Sequence, residues 1–204
     1  MLSLKRVAVT GGIASGKTTV IEEFQKLGAY TVSADHITHQ LLSSNSELIK
    51  QVITLLGNEV LSEGSIDRKK VAKKVFRDPE LLFQLEALIH PNVASVIERR
   101  WREVEKSQKH QLFVAEVPLL FEAAQDGWYD VTCAVIANEG DCKRRFCQGS
   151  GYDEEEYERR ASRQLTQAEK AKKANFVIEN IGSLDELKSQ ATTLYKQLTT
   201  GDKA

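Results

Sequence analysis

Short apolar runs alternate with longer segments of helical periodicity along most of this chain. The first run extends from Leu4 to Thr10, is rich in β-branched residues and ends in two glycines, which predicts a buried parallel strand. Strands that alternate with helices indicate an α/β fold, here with a parallel five-stranded sheet flanked by helices. The other predicted strands are Tyr30 to Ser33, Leu112 to Val117, Val131 to Ala137 and Phe176 to Ile178.

Two segments depart from this alternation. Residues 36–109 show helical periodicity without a strand pattern, so we expect a helical insertion. Within it, Asp78 followed by Pro79 is typical of a helix start, and Pro91 is expected to kink or split that helix. Residues 149–173 begin at a glycine-rich break and continue as a charged helix with little apolar face, which predicts a mobile lid. The core of the predicted single domain then comprises residues 1–35, 110–148 and 174–200.

The composition limits which partners the protein can bind and where in the cell it is expected. Of 204 residues, 41% are hydrophobic and 28% charged, and the net charge is −1, so no global field attracts nucleic acid or a membrane. The N-terminus lacks the apolar region of a signal peptide, and no stretch approaches the ~20 apolar residues of a membrane span. The three cysteines form no C-x-x-C pair, which favours free thiols. We therefore expect a cytoplasmic protein, monomeric or weakly homo-oligomeric, without nucleic-acid or membrane partners.

The segment from Gly11 to Thr18 fits the pattern G-x-x-x-x-G-K-[ST], after a predicted strand and at the start of a predicted helix. Such a P-loop points backbone N–H groups at phosphate oxygens, and the helix N-terminus adds partial positive charge. Lys17 is expected to reach the β- and γ-phosphates, and the Thr18 hydroxyl to coordinate Mg²⁺. The residues predicted to hold a nucleoside triphosphate are Gly12, Ile13, Ala14, Ser15, Gly16, Lys17, Thr18 and Thr19.

Other motifs separate the classes of P-loop protein. The chain contains neither the N/T-K-x-D nor the D-x-x-G pattern of GTPases, and it is too short for the coupling domains of a motor ATPase. A small kinase needs a carboxylate near the acceptor hydroxyl, an insertion that binds the acceptor, and basic residues that close over the phosphates. Each of these has a candidate here, so the pattern favours a kinase with a P-loop NTPase fold.

Two carboxylates lie at the predicted carboxyl edge of the sheet, where α/β proteins bind ligands: Asp35 follows the second strand, and Glu116 lies at the end of the strand that starts at Leu112. Asp35 can accept the proton of the acceptor hydroxyl or orient Mg²⁺, and it can equally cap a helix that begins at His36. Glu116 can bind Mg²⁺ through a water molecule, or only cap a helix. The pattern leaves both interpretations open for each residue.

Basic residues cluster on either side of the glycine-rich break. They can stabilise a transferring phosphoryl group, whose charge lies on its oxygens, or form a solvated helix face. The cluster and its polar neighbour are Lys143, Arg144, Arg145, Arg159, Arg160, Arg163 and Gln164.

Several motifs together resemble the dephospho-CoA kinase family. They are VTGGIASGKTTV, SADHITHQLL, GSIDRKKVAKKVF, LIHP, EVPLLFE, RRASRQ and NFVIENIGSLDEL, in an order and spacing that extend to about Leu187. The resemblance implies a P-loop kinase core, a helical CoA-binding insertion and a lid. It also implies that the γ-phosphate of ATP passes to the ribose 3′-hydroxyl of dephospho-CoA, the final step of coenzyme A biosynthesis.

The resemblance also assigns roles to individual residues. Asp35 matches the catalytic aspartate, Lys17 and Thr18 match the residues for phosphate and Mg²⁺, and Arg144 matches a catalytic basic position of the lid at the nucleotide. Asn180 falls near the adenine side of the site. The implied contacts to dephospho-CoA are Asp35, Arg68, His90 in a His-Pro turn, Pro118, Leu119 and Arg160.

Three positions depart from the family pattern. Ser33 stands where an aspartate is usual, so any metal role there falls to water or to Glu116. Gln148 stands near the position of a frequent lid arginine, a role left to Arg145 or to a shifted loop, and Asn175 replaces a usual aspartate. Two alternatives to the implied reaction remain. They are another nucleoside or nucleotide kinase of the same superfamily, and a nucleotide-binding regulator without transfer.

Overall fold

The computed structural model of the protein describes residues 4–75 and 78–200. Residues 1–3 of the predicted core, and Phe76 at the end of one quoted motif, lie outside the described residues. The strands are β1 Lys5–Gly11, β2 Tyr30–Ser33, β3 Leu61–Ser62, β4 Ser65–Ile66, β5 Leu112–Glu116, β6 Val131–Ala137 and β7 Phe176–Asn180. The helices are α1 Lys17–Lys26, α2 Ala34–Ser44, α3 Ser46–Leu56, α4 Arg68–Val75, α5 Pro79–Ser107, α6 Glu139–Ser150, α7 Glu154–Ala161, α8 Gln167–Lys173 and α9 Leu184–Thr200.

The chain divides into two compact units. The first contains the chain up to Ser33 and again from Trp101 onward, and the second is Ala34–Arg100. The predicted insertion, residues 36–109, begins two residues after the start of the second unit and runs nine residues beyond its end. Among the helices that the structure describes, none is both long and apolar enough to cross a bilayer.

The five longer strands form one parallel sheet in the order β2-β5-β1-β6-β7. Val9 of the central strand β1 lies opposite Glu116 of β5 on one side and Cys133 of β6 on the other. After β1 the chain adds two strands on one side and then two on the other, which makes β1 the point where the strand order reverses. The predicted α/β fold with a five-stranded parallel sheet is confirmed.

Helices α1 and α9 pack together against this sheet and form the core of the first unit. Alternate residues of the strands, such as Val7 and Val9, face the core, as the two-residue repeat of a strand requires. Phe24 of α1 is completely buried, and its ring lies 6.1 Å from that of Tyr195 in α9. Gly28, with φ 102°, follows the end of α1 where the sequence placed a helix stop. This packing fixes the first turn of α1 at the carboxyl edge of β1.

The second unit is helical except for one short hairpin. The expectation of no strand in this segment is wrong, because β3 and β4 pair in antiparallel fashion through a turn at Glu63 and Gly64, both with positive φ. Two-residue strands are too short to give a periodic signal. The apolar core of the unit, from α2 to α5, includes Leu48, Val52, Leu56, Val60 and Val71.

Helix α5 begins at Pro79, and the Asp78 carboxylate accepts a hydrogen bond from the N–H of Leu81 at 3.1 Å, as the sequence predicts. The helix continues through Pro91, so the expected split is wrong. Pro91 has no N–H to donate to the carbonyl of residue 87, and the side-chain amide of the next residue, Asn92, donates to the Leu88 carbonyl at 2.9 Å. The implied His-Pro turn is wrong for the same reason, since both residues lie inside a helix.

The predicted lid has a more regular structure than its sequence indicates. Helix α6 runs through Gly149 and stops at Gly151, whose φ is 71°. The charged helix α7 follows, capped by the Asp153 carboxylate at the N–H of Glu156. Helix α8 then packs against β6 and is part of the first unit's body. All three cysteines of the chain are free thiols, as predicted.

Candidate active site

The carboxyl edge of the sheet brings together the residues that end the strands. Gly11 ends β1, Ser33 lies opposite Glu116 at the ends of β2 and β5, and Ala137 lies opposite Asn180 at the ends of β6 and β7. In open α/β sheets, ligands bind outside this edge, beside the strand where the order reverses. The P-loop follows β1 at this point, so this edge is the candidate nucleotide site.

The P-loop presents buried polar atoms to a ligand. The Lys17 ammonium donates hydrogen bonds to the carbonyl oxygens of Gly11 at 3.2 Å and Gly12 at 2.7 Å. The hydroxyl of Ser15 is fully buried, and its oxygen has no hydrogen-bond partner in the part of the chain that the structure describes. A buried hydroxyl without a partner costs free energy, which a ligand oxygen would relieve. The residues present therefore fit a bound phosphate.

Asn180 holds the second half of the P-loop. Its side-chain amide donates to the Ser15 carbonyl at 2.9 Å, and its side chain is buried. Gly16 has a φ of 105°, and a Cβ at this position would lie 2.5 Å from the Asn180 amide nitrogen. Only glycine fits this position, because a side chain there would be strained by the backbone and would collide with Asn180. The structure thus places Asn180 against the P-loop backbone.

The apex of the P-loop contacts the predicted lid. Ala14 has a φ of 52°, which is uncommon for a residue with a side chain. Ile13 and Ala14 pack against a small apolar cluster formed by Cys142, Phe146 and Tyr157. Tyr157 lies on α7 and is only 3% exposed, so the expectation that this helix has little apolar face is wrong at this residue. A single aromatic side chain anchors α7 to the loop that receives phosphate.

The loop after β5 is held by a buried ion pair. The Lys170 ammonium donates to the Pro118 carbonyl at 2.6 Å and lies 3.0 Å from the Glu122 carboxylate. The Pro118 carbonyl also accepts from the Thr10 hydroxyl at 3.1 Å, and Glu122 accepts from the N–H of Leu165 at 2.8 Å. Burial lowers the pKa of Lys170, and the charge of Glu122 opposes that shift. One carbonyl therefore connects β1, the β5 loop and α8.

Gln167 ties α8 to the sheet edge. Its side-chain amide accepts from the N–H of Ala137 at 2.7 Å and donates to the Ala137 carbonyl at 3.0 Å. A Cβ on Gly12 would lie 2.9 Å from Gln167 Cγ, so the same side chain also borders the P-loop. Sequence reasoning missed Gln167, Lys170 and Glu122 as contributors to the site. Glu122 is the last residue of the motif EVPLLFE, so that motif could have indicated its role. Lys170 is one of three lysines between residues 169 and 174, and nothing in the sequence distinguishes it from the other two.

The lid arginines have acidic and aromatic neighbours. Arg144 donates to the Asp141 carboxylate at 2.7 Å, and its side chain is 62% exposed. Arg160 donates to Glu156 at 2.6 Å, and its guanidinium lies 4.8 Å from the Tyr152 ring centroid. Arg159 also pairs with Glu156. Burial acts to raise the pKa of that carboxyl, but the hydrogen bonds and charges of the two arginines together keep it below its usual value. The roles assigned to Arg144 and Arg160 stay predictions.

Three residues of the predicted site belong to the second unit. Asp35 is the second residue of α2, directly after β2, so the alternative that it caps a helix starting at His36 is wrong. Arg68 is exposed at the first position of α4, where the Asp67 carboxylate accepts from the N–H of Lys69 at 2.8 Å. His90 lies within α5 and is half-buried. Their roles toward an acceptor stay predictions.

Thr18 and Glu116, the residues predicted to bind Mg²⁺, carry oxygen atoms that can serve as its ligands. Thr18 lies in the first turn of α1, and it is exposed at the carboxyl edge of the sheet. Glu116 is the last residue of β5 at the same edge. A hydroxyl and a carboxylate are oxygen ligands of the kind that Mg²⁺ prefers, with its remaining positions filled by water and phosphate.

Comparison with known proteins shows what this chain is similar to. The family model described as dephospho-CoA kinase matches residues 5–186. A dephospho-CoA kinase from Chlamydia pneumoniae is 42% identical over 187 residues, which is 92% of this chain and 93% of the relative. The crystal structure of TT1252 from Thermus thermophilus shares 31% identity with a TM-score of 0.82, over 97% of this chain and 99% of that one. Dephospho-CoA kinase from Campylobacter jejuni shares 27% identity with a TM-score of 0.65, over 97% and 98% of the two chains.

The matched range starts at β1, includes the P-loop and ends in the first turn of α9. It therefore covers the P-loop, the Glu122–Lys170 pair and Asn180, which are the parts from which the site is built. With a matching family model over most of its length and a relative of 42% identity, this chain belongs to the dephospho-CoA kinase family.

Proposed function

We propose that this protein transfers the γ-phosphate of ATP to the ribose 3′-hydroxyl of dephospho-CoA and so forms coenzyme A. The observation that carries the proposal is the complete phosphate cradle in a chain that matches this family from residue 5 to residue 186. The cradle consists of the P-loop after β1, the buried Lys17 and Ser15, and the amide of Asn180 at the loop backbone. Phosphoryl transfer requires positioning and charge stabilisation above all, and this arrangement supplies both.

The proposal assigns one role to each group of residues. The Lys17 ammonium contacts the β- and γ-phosphates. Thr18 would hold Mg²⁺ through its hydroxyl, and Glu116 would hold it through a water molecule. When bound, the metal neutralises charge that develops on the phosphate oxygens. Asp35 orients the acceptor hydroxyl and takes its proton. The basic residues Arg144 and Arg160 contact the phosphates of the nucleotide and of dephospho-CoA.

Four further residues are proposed to contact the acceptor. Pro118 and Leu119 form the loop after β5, which the Lys170 ammonium fixes through the Pro118 carbonyl at 2.6 Å. Arg68 and His90 supply a charge and a hydrogen-bonding ring from the second unit. The proposal places the protein in the cytoplasm, where its three free thiols stay reduced, as a monomer or a weak homo-oligomer.

The test is an acceptor competition. Purified protein with ATP and Mg²⁺ is given dephospho-CoA, adenosine, AMP or uridine, and both ADP release and the mass of the phosphorylated product are measured. We expect turnover with dephospho-CoA to exceed turnover with the other acceptors by at least about 10³-fold, because an acceptor that fills the site brings its hydroxyl into position. The Lys17→Ala variant is the matched control and should be inactive with every acceptor. Equal turnover with AMP or adenosine would assign the chain to another nucleotide kinase, and ATP binding without any transfer would make it a regulator.

A further inference from the structure

The side-chain amide of Gln167 takes the place of a strand partner at the end of β6. Gly11 is the last residue of β1 and lies opposite Val135, so β1 ends two residues short of Ala137. Gln167 Oε1 accepts a hydrogen bond from the Ala137 N–H at 2.7 Å, and Gln167 Nε2 donates to the Ala137 carbonyl at 3.0 Å. One amide thus satisfies the two backbone groups of Ala137, as a neighbouring strand would do.

These two hydrogen bonds hold Gln167 against the start of the P-loop. Gly12 is buried, and a Cβ built on it would lie 2.9 Å from Gln167 Cγ and 3.0 Å from Gln167 Cδ. The Gly12 carbonyl accepts from the Lys17 ammonium at 2.7 Å and from the Ser15 N–H at 3.3 Å. Gln167 therefore packs on the residue whose carbonyl holds the ammonium group of the phosphate site.

A second glutamine makes the same pair of hydrogen bonds elsewhere on the sheet. Gln190 of α9 accepts from the Glu179 N–H at 3.1 Å and donates to the Glu179 carbonyl at 2.9 Å. Both glutamines are half-buried. Glu179 lies on β7, which is an edge strand two places from β1 in the sheet. The two side chains thus have the same chemistry, and Gln167 alone packs on Gly12.

We propose that Gln167 is a positioning residue for the nucleotide, which supports Gly12 and keeps the P-loop in the conformation that receives phosphate. The inference rests on the proposed kinase function and deepens it, because it names a residue that acts on the same site through Gly12. A P-loop binds phosphate through backbone N–H groups, so its affinity depends on their orientation before the ligand arrives. A loop that must first be ordered by its ligand binds that ligand more weakly.

The first experiment compares Gln167→Met with Gln190→Met. Methionine keeps an unbranched side chain of similar size and removes the amide, so each variant loses the same two hydrogen bonds to a strand. ATP with Mg²⁺ is titrated by calorimetry, and urea denaturation measures the stability of each variant. Gln167→Met should bind ATP at least about 5-fold more weakly, the lower end of the usual coupling between two sites. Gln190→Met should bind ATP within about twofold of the wild type, although both variants lose stability.

A second measurement uses the wild-type protein, so it does not depend on whether Gln167→Met folds. If the contact of Gln167 with Ala137 strengthens ATP binding, ATP must strengthen that contact by the same factor. Hydrogen exchange measured by NMR should show the Ala137 amide at least about 5-fold better protected with ATP and Mg²⁺ bound. ATP also stabilises the whole fold by mass action, so the Glu179 amide serves as the internal reference and should gain less protection.

The outcomes separate this inference from the proposed function, because neither measurement includes dephospho-CoA. A folded Gln167→Met that binds ATP within about twofold of the wild type would overturn the role of Gln167 and leave the proposed reaction untouched. An equal loss of ATP affinity in Gln190→Met, or an equal gain of protection at Ala137 and Glu179, would also overturn it. Weaker ATP binding by Gln167→Met alone would support the inference even if the wild type did not phosphorylate dephospho-CoA.

Discussion

The ammonium group of Lys170 lies 3.0 Å from the carboxylate of Glu122, although the Lys170 side chain is completely buried. The two residues stand 48 positions apart in the sequence, on α8 and after β5. Both make further hydrogen bonds, Lys170 to the Pro118 carbonyl and Glu122 to the N–H of Leu165. These contacts of Lys170 and of Glu122 Oε1 offset part of the desolvation of the pair, whereas the buried Glu122 Oε2 has no hydrogen-bond partner among the described residues. We infer that the pair fixes the loop after β5 at the edge of the sheet.

We expect Lys170→Met to lower the free energy of unfolding by about 3–5 kcal/mol, because the Glu122 carboxylate stays buried without its partner. The double variant Lys170→Met with Glu122→Leu removes both charges and should be more stable than the single variant. Urea denaturation followed by circular dichroism measures both values. A double variant that is less stable than Lys170→Met would show that the pair is not coupled as described.

The pH dependence of stability should change when Glu122 loses its charge. Burial lowers the pKa of Lys170 from 10.5, and Glu122 opposes the shift, so Glu122→Gln should lower that pKa further. Between the lowered pKa of Lys170 in the folded protein and its ordinary pKa in the unfolded chain, the unfolded chain binds more protons than the folded one. The free energy of unfolding therefore rises with pH in that range. We expect Glu122→Gln to gain stability relative to the wild type as the pH rises toward 10.5. Thermal melting across this range measures it, and parallel curves for both proteins would contradict the prediction.

Gly16→Ala should damage the P-loop. The new methyl group would sit 2.5 Å from the Asn180 amide at a φ of 105°, so the residue must shift and strain the loop by about 1–3 kcal/mol. ATP affinity, measured by calorimetry, should fall at least about 10-fold. Gly140→Ala is the matched control, because no atom lies within 4 Å of its added Cβ and alanine favours the helix by about 1 kcal/mol. Equal ATP affinity in both variants would contradict the tight fit at Gly16.

Amide exchange should distinguish α7 from α8. Helix α7 is held by Tyr157 and by surface ion pairs from Lys143, whereas α8 is held by the buried Lys170 and by Gln167. We expect exchange in α7 to be fast in the free protein and to slow when ATP and dephospho-CoA are both present. Exchange in α8 should be slow in both states. Mass spectrometry of peptides from residues 154–161 and 167–173 tests this, and ligand-independent exchange in α7 would remove the lid interpretation.

Asp35→Asn separates the proposed catalytic role of the Asp35 carboxylate from any role in stability. The substitution keeps the shape of the side chain and removes its charge and most of its basicity. General-base assistance is worth about 10²- to 10⁴-fold, so turnover should fall by at least about 10²-fold while ATP affinity and melting temperature change little. Glu116→Gln is measured beside it. If Asp35→Asn keeps full turnover and Glu116→Gln does not, the essential carboxylate is Glu116.

The sequence by itself determined the local elements of this protein and the motif that binds phosphate. Strands β2 and β6 lie where the apolar runs predicted, and β1 differs by one residue at each end. These features are decided by neighbours in the chain, such as runs of β-branched residues, a capping aspartate at Asp78, and glycines that permit a turn. The P-loop is likewise decided by neighbours in the chain, because its glycines, Lys17 and Thr18 lie within one short segment of the sequence.

Only the tertiary structure decided which distant residues complete the site. Asn180 contacts Ser15 across 165 positions, and Gln167 and Lys170 reach the ends of β6 and β5 from a helix whose sequence looks like an exposed lysine-rich surface. The sequence also could not tell that Arg145 is half-buried, with a buried guanidinium Nη1, while Arg144 is exposed, since the two are identical in type and adjacent. Burial and partnership depend on how helices pack against the sheet, and helical periodicity alone does not fix that packing when a helix carries few apolar residues.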